Sequence, residues 1–356
     1  KNPANLSRRS TLSSAATATA LREITARNLA RRWTFVWLGL GLIGLFLLSL
    51  SFGRYPETGF ISWERLKADE LARLLVFNLR LPRLLAALLL GMSLSAGGMV
   101  FQMLFGNPLV EPGFLGVSQG AAFGAALFIV FVSGSALLIQ TGAAAFALAG
   151  LGLSYLLARR IRYGGWVLRL VLSGIAVSAL FSAGLGILKY LADPLRQLPE
   201  ITFWLLGGLS SITWLKLLSI LPAVIFGLVI LFLFRWRLNV LALNEETAFS
   251  MGLVPRRERL LLLTEAVLPT AAVISVAGMV GWVGLIIPHI ARRLFGSDTR
   301  LTLPASMLLG AIFTILCDNL SRTLLAGEIP LGILTSLLGA AIFIALMMGR
   351  SVKVER

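Results

Sequence analysis

Charge, cysteine and histidine are all scarce in this sequence. Of its 356 residues, only 13% are charged and 57% are hydrophobic. Soluble domains carry about 25% charged residues. The mean hydropathy is +0.88. The single cysteine, Cys317, and the single histidine, His289, exclude a disulfide framework and a His/Cys metal cluster. The sequence therefore predicts neither a metal site nor any other cofactor on this chain.

Phosphate-binding and catalytic motifs are missing or lie in the wrong context. None of the five lysines follows a glycine, so there is no G-x-x-x-x-G-K-[ST] loop, and any ATP must be bound by a partner. Residues 39–44 match G-x-G-x-x-G, but they lie in an apolar run without a preceding strand or an acidic ribose ligand. Residues 116–120 match the nucleophile elbow G-x-S-x-G around Ser118, and the only imidazole base is His289. An intramembrane hydrolase is thus an alternative of a different functional class.

Long apolar runs, such as residues 37–50 and 220–234, are the dominant feature. Runs of about 18 or more apolar residues are typical of transmembrane helices, because lipid offers no partner for backbone polar groups. We predict an all-α integral membrane fold with about ten transmembrane helices. The predicted spans are 34–53, 82–105, 114–134, 137–158, 168–191, 214–235, 259–278, 279–295, 302–325 and 330–348.

The arginine distribution predicts the orientation. Of the 32 Lys and Arg residues, 22 fall in the two tails and in alternate connections between the predicted helices. The positive-inside rule therefore places both termini in the cytoplasm, and it explains the net charge of +16 without nucleic acid. The predicted organisation is a basic cytoplasmic tail over 1–33, one transmembrane domain over 34–350 and a cytoplasmic tail over 351–356. The composition of the first tail is also that of a transit peptide.

Two polar features lie at the ends of the second predicted helix. Arg80-Leu-Pro-Arg83 opens it at the outer face, where the arginines could also be plain interfacial anchors. Residues 106–116, Gly-Asn-Pro-Leu-Val-Glu-Pro-Gly-Phe-Leu-Gly, follow it without a basic residue. This loop is long for a cytoplasmic connection and lacks the usual basic residues, although a simple turn is the alternative interpretation.

Two further features lie later in the chain. Between helices six and seven, Glu245 and Glu246 begin a short helical stretch that Gly252 ends. We interpret this helix, its glycine turn and the basic helix that follows as a cytoplasmic docking knob, with an amphipathic interfacial helix as the alternative. Asp318 and Arg322 share one face of helix nine, as a functional site or as a structural ion pair.

At these residues the sequence resembles the permease family of type II ABC importers, of the FecCD type, whose members take up ferric siderophores, haem, vitamin B12 and some oxyanions. The matching stretches run in order from about residue 75 to 350. They are Arg80-Leu-Pro-Arg83, Asn107-Pro-Leu-Val-Glu-Pro, Leu115-Gly-Val-Ser, Phe203-Trp-Leu-Leu-Gly-Gly208, the 246–252 loop, Gly284-Leu-Ile-Ile-Pro-His289 and Glu328-Ile-Pro-Leu-Gly332.

The resemblance implies a homodimer in the bacterial inner membrane, without catalytic residues of its own. Two cytoplasmic ATPase subunits, which bind ATP and Mg, would dock on Leu243, Glu245, Glu246, Ala248, Gly252, Leu253, Arg256 and Arg257. An extracytoplasmic binding protein would place its acidic residues on Arg80, Arg83 and Arg322. The cytoplasmic gate would comprise Asn107, Pro108, Leu109, Tyr163 and Gly164, although this sequence departs from some relatives near Tyr163.

The predicted function is therefore ATP-driven import of a metal chelate. A ferric siderophore is the first expectation, followed by haem, cobalamin or a molybdate-type oxyanion. Besides the hydrolase, an ATP-independent channel or secondary transporter is the remaining alternative.

Overall fold

The computed structural model describes residues 32–53, 59–132, 135–325 and 327–348. The chain divides into two units, residues 1–44 and 45–356. The described part of the first unit is the beginning of helix α1 (Arg32–Ser51). Except for residues 32 and 33, the predicted N-terminal tail lies outside the described residues, as does the predicted C-terminal tail.

The second unit is built almost entirely from helices. A two-residue strand pair, β1 (Phe52–Gly53) and β2 (Gly59–Phe60), follows α1. The helices are α2 (Trp63–Ala68), α3 (Glu70–Leu74), α4 (Leu81–Phe105), α5 (Val117–Phe131), α6 (Ala136–Arg160), α7 (Trp166–Leu191), α8 (Gln197–Leu206), α9 (Trp214–Leu241), α10 (Glu245–Ser250), α11 (Pro255–Ala277), α12 (Val283–Phe295), α13 (Thr299–Thr323) and α14 (Leu331–Met348).

Each of the ten predicted spans coincides with one of these helices, which confirms the all-α membrane fold. Eight helical segments of the described chain are long and apolar enough to cross a bilayer, and Val117–Phe131 is a shorter apolar helix. The predicted eighth span is the 13-residue α12, which contains Pro288 as expected. Helices α2, α3, α8 and α10 are additional short elements.

The predicted start of the second span at residue 82 is wrong. The helical segment is continuous from Glu70 to Phe105, because a π-helical turn (Leu75–Arg80) joins α3 to α4. Asp69 caps its beginning by accepting hydrogen bonds from the backbone N–H groups of Leu71 and Ala72. Pro82 has no N–H to donate, and the wider π turn just before it accommodates this loss within the helix.

The predicted start of the eighth span at residue 279 is also too early. Residues 278–282 are not helical, since Gly278 and Trp282 both have positive φ angles, 71° and 72°. A Cβ on Gly278 would lie 2.2 Å from the carbonyl oxygen of Trp204, at the end of α8. The backbone amide of Gly208 donates to the carbonyl of Ala277 over 2.7 Å. Gly207 has φ 67°, and a Cβ there would lie 2.3 Å from the carbonyl oxygen of Met279, so this backbone junction requires Gly207 and Gly278.

Helix α4 lies at the centre of the bundle, against α9, α11, α12 and α13. Twenty of its 25 residues are buried, so it has almost no face for lipid. Backbones touch where glycines meet: a Cβ on Gly98 would lie 1.8 Å from the Gly284 carbonyl oxygen, and one on Gly91 would lie 2.1 Å from that of Gly310. The Thr314 hydroxyl donates to the carbonyl of Ala87 over 2.7 Å. Small residues and hydroxyls thus supply the close helix packing that membrane bundles need.

Candidate docking surfaces and gate

The knob, residues 243–257, has the helix–turn–helix form that the sequence predicts. Asn244 caps α10, and its side-chain oxygen accepts from the backbone N–H of Thr247 over 2.8 Å. Gly252 ends the turn with φ 83°, a conformation that costs a residue with a Cβ about 1–2 kcal/mol. Its amide donates to the carbonyl of Phe249 over 2.9 Å.

Most residues of the predicted ATPase-docking set are exposed on this knob. Ala248 and Leu253 are buried beneath it, and the backbone N–H of Leu253 donates to the Ala248 carbonyl over 3.1 Å. The exposed members are Leu243, Glu245, Glu246, Gly252, Arg256 and Arg257. The structure adds two exposed apolar side chains that the sequence analysis missed, Phe249 and Met251.

An ion pair and a ring contact connect the knob to the helix bundle. The guanidinium of Arg259 contacts the carboxylate of Glu245 at 2.5 Å. The same guanidinium lies over the ring of Trp166, 4.5 Å from its centroid. Trp166 is the first residue of α7, and its ring packs 5.5 Å from that of Phe105, the last residue of α4. Trp166 therefore links the knob to the end of α4.

The loop of residues 106–116, the gate loop, follows Phe105. Gly106 ends α4 in the left-handed conformation, and Asn107 forms a turn by accepting the Leu109 amide on its side-chain oxygen over 2.9 Å. Three predicted gate residues, Asn107, Pro108 and Leu109, are exposed. The two others lie in a separate exposed turn between α6 and α7: Tyr163 and Gly164. The gate loop follows α4, and the turn with Tyr163 and Gly164 precedes α7. The contact between Phe105 and Trp166 therefore holds together the two helix ends that adjoin these segments.

Glu111, a half-buried residue of the gate loop, carries an unusual carboxyl group. Oε2 of Glu111 lies 3.4 Å from the position that a Cβ on Gly284 would occupy, at the start of α12. No described residue donates a hydrogen bond to the carboxyl group. Burial disfavours its charged form and raises the pKa of Glu111 to about 7. The sequence analysis gave this glutamate no role, because burial of a single loop carboxyl group leaves no local sequence signal.

The opposite end of the bundle carries a four-charge network of Arg83, Asp318, Arg322 and Glu328. Arg83 donates from Nε to Asp318 over 2.8 Å and from Nη1 to both oxygens of Glu328 over 2.8 and 2.9 Å. The Arg322 Nε lies 3.8 Å from Oδ2 of Asp318, which confirms that these two residues face each other on α13. Two positive and two negative charges balance, as a buried network requires.

The predicted binding-protein residues are all engaged within the chain. The side chains of Arg83 and Arg322 are 11% and 8% exposed, and Asp318 is fully buried. Arg322 also donates to the side chain of Asn319 and to the backbone carbonyl of Ser49 over 2.5 Å each. The Arg80 guanidinium donates to the carbonyls of Leu50 and Ser51. Glu328, the Arg83 partner that the sequence analysis missed, is 44% exposed.

Neither a metal-binding cluster nor a nucleophile–base pair is formed among the described residues. No group of three His, Cys, Asp or Glu side chains in this part of the chain is placed to hold a metal ion. The predicted hydrolase pair, Ser118 and His289, lies on α5 and α12, and no described hydrogen bond joins the two side chains.

Comparison with known proteins agrees with this architecture. The sequence model of the FecCD transport family matches residues 41–349. The molybdate import system permease protein MolB of Haemophilus influenzae is 38% identical over 307 residues, which is 83% of this chain and 90% of MolB. The hemin transport system permease protein HmuU of Yersinia pestis is 37% identical, with 88% of this chain and 92% of HmuU covered.

A solved structure is similar as well. It is described as an inward-facing conformation of a metal-chelate type ABC transporter, and it is 37% identical with a TM-score of 0.82. The alignment covers 89% of this chain and 99% of that one. The chain therefore belongs to the FecCD transport family and is a multi-pass membrane permease of an ABC importer.

Proposed function

We propose that this chain imports a metal chelate across the bacterial inner membrane, as a homodimer with both termini in the cytoplasm. Two ATP-binding subunits and an extracytoplasmic binding protein complete the transporter. The observation that carries this proposal is the knob, an exposed surface with charged and apolar side chains that is attached to the bundle through Arg259 and Trp166. A surface of this kind is suited to receive a partner and to pass its movement to the helices.

ATPase docking on the knob can be tested at Gly252. No atom lies within 4 Å of a Cβ placed there, so Gly252→Trp fits sterically but covers the surface with an indole. Gly252→Ala is the matched control, since it carries the same backbone strain without the bulk. We expect the Trp variant to lose ATPase binding and uptake, while the Ala variant keeps most of both. Equal binding by the two variants would remove the knob as the docking surface.

For the gate, we propose that movement of the knob reaches Asn107, Pro108 and Leu109 through Trp166. The chain of contacts runs from Glu245 to Arg259, then to the Trp166 ring, and then to Phe105 next to the gate loop. The turn with Tyr163 and Gly164 directly precedes the same tryptophan in sequence. An ATP-driven change at the knob could therefore act on both gate segments, provided that the two states differ in these contacts.

Docking of the binding protein is proposed at the opposite end, on Arg80, Arg83 and Arg322. Because Glu328 holds Arg83, a carboxylate of the binding protein would have to compete with it. Glu328→Gln removes this competitor, and it should tighten docking at low salt by several-fold. Glu200→Gln, at another exposed glutamate in the first turn of α8, is the control. Unchanged affinity of the Glu328 variant would assign Arg83 a structural role only.

The substrate class is proposed as a metal chelate, with a ferric siderophore first. Two relatives of nearly equal identity are named for molybdate and for hemin, so relatedness alone does not select one cargo. A panel of ferric siderophores, haem, cobalamin and molybdate, offered to the reconstituted transporter, distinguishes these classes.

A further inference from the structure

A cavity of about 760 Å³ opens where α6, α7 and α11 meet α10. Arg159 of the last turn of α6, Trp166 at the start of α7 and Pro255 at the start of α11 line it. The cavity therefore lies at the level where three long apolar helices end, which is the membrane interface. Three of the residues that line it, Glu245, Glu246 and Arg256, also belong to the proposed ATPase-docking set.

Four arginines line this cavity, which we call the arginine pocket. They are Arg159, Arg169, Arg256 and Arg259. Two glutamates of α10, Glu245 and Glu246, also line it, which leaves a net charge of +2. The pocket thus has the charge to receive an anion of about two negative charges or fewer.

Much of the hydrogen-bonding capacity of these arginines is unused. Arg159 and Arg256 are exposed, and no described residue forms an ion pair with either. Arg169 donates from Nη1 to the backbone carbonyl of Ile161. Only Arg259 pairs with a carboxylate, that of Glu245. Guanidinium groups with free N–H donors match the oxygens of a phosphate, which accepts bidentate hydrogen bonds.

The remaining walls are apolar or amphipathic. Phe249 and Val254 are exposed, and Leu260 is half-buried. Tyr155 and Trp166 also line the pocket, and such side chains are typical of the lipid headgroup level. A free phosphate has no apolar part to place against these side chains. A phospholipid has both a phosphate and a glycerol backbone with acyl chains.

We propose that the arginine pocket binds the phosphodiester headgroup of an anionic phospholipid, such as phosphatidylglycerol. Basic pockets between the ends of transmembrane helices are known to hold such headgroups. The site goes beyond the proposed transport function and does not rest on it. Because Arg259 joins the pocket to Glu245 on the knob, bound lipid would also stabilise the position of the knob.

The test uses the full chain alone, in detergent micelles doped with phosphatidylglycerol or phosphatidylcholine, and counts retained lipids by native mass spectrometry. The pocket variant combines Arg159→Gln with Arg256→Gln. The control variant combines Arg160→Gln with Arg162→Gln, which removes the same charge at exposed neighbours that do not line the pocket. Thermal unfolding of all three proteins verifies that the variants are folded. A further arm adds millimolar inorganic phosphate to the wild-type chain.

We expect the wild type and the control to prefer phosphatidylglycerol over phosphatidylcholine, and the pocket variant to lose at least tenfold in affinity. This estimate follows from roughly fivefold for each arginine near an anionic headgroup. Equal retention by the pocket variant and the control would overturn the proposal. So would displacement by inorganic phosphate without any lipid preference, which would assign the site to free phosphate. If no lipid is preferred but the pocket variant binds the ATPase subunit more weakly, the occupant is an acidic side chain of that partner and the lipid proposal fails.

Discussion

Glu111→Gln should remove a pH dependence of stability that originates in the gate loop. The pKa of this carboxyl group is raised from 4.5 to about 7 by burial, so the folded chain holds a proton that the unfolded chain has already released at intermediate pH. Stability is then complete below about pH 4.5, falls as the pH rises, and reaches its lower level above about pH 7. The side-chain amide of glutamine cannot ionise, so the variant does not lose stability in this way as the pH rises.

The size of the effect follows from the difference between the two pKa values. A shift from 4.5 to about 7 corresponds to at most about 3 kcal/mol at high pH. The side chain is only partly shielded from solvent, so about 1–3 kcal/mol is expected. Glu111→Gln should therefore match the wild type near pH 4.5 and exceed its stability at pH 8.

The assay is thermal unfolding of the purified chain in detergent between pH 4.5 and pH 8, followed by tryptophan fluorescence. Glu246→Gln is the matched control, because that carboxylate is exposed on the knob. We expect the control to retain the slope of the wild type. A Glu111 variant with the same slope as the wild type would refute the argument that burial sets the charge of this loop.

Three further predictions concern packing, charge and coupling. Gly98→Val should fail to fold or lose well over 3 kcal/mol, since its Cβ would overlap the Gly284 carbonyl; normal thermal unfolding would contradict this packing. Asp318→Ala should cost about 3–5 kcal/mol by leaving Arg83 with one carboxylate and Arg322 with none, and a loss under 1 kcal/mol in chemical denaturation would disprove the network's role. Trp166→Ala should reduce uptake per ATP hydrolysed by the reconstituted transporter, whereas unchanged coupling would exclude this ring from the path to the gate.

The helical architecture could be predicted because its signal is local. Long apolar runs need no knowledge of distant contacts, and each predicted span coincides with a helix. The knob could be predicted as well, because two glutamates in the first turn of a short helix and Gly252 after it are local signals of the helix ends. The i and i+4 spacing likewise predicted that Asp318 and Arg322 would share a face.

The errors and omissions arise where distant parts of the chain meet. The pairing of Arg83 with Glu328 joins residues 245 positions apart, and no local pattern indicates it. The break at residues 278–282 depends on a backbone junction with α8, since a Cβ on Gly278 would meet the carbonyl of Trp204. Trp166 contacts Arg259 and Phe105 and lines the arginine pocket, but in the sequence it is only a tryptophan after two glycines.

The same limit applies to the outer arginines. Their position at a helix end indicates exposure, yet in the structure both Arg83 and Arg322 face the buried carboxylate of Asp318. A charge in a membrane protein needs a partner, and the nearest partner here is within the chain. Docking at this face therefore stays a prediction, for which Glu328→Gln is the sharpest test.

ATP-dependent uptake tests the central claim most directly. The measurement uses proteoliposomes that contain this chain, its ATPase subunit and its binding protein, with labelled ferric siderophores, haem, cobalamin and molybdate outside and ATP inside. We predict that one of these cargo classes accumulates only when ATP and both partners are present. Accumulation of the cargo that continues without ATP or without the ATPase subunit would contradict the account.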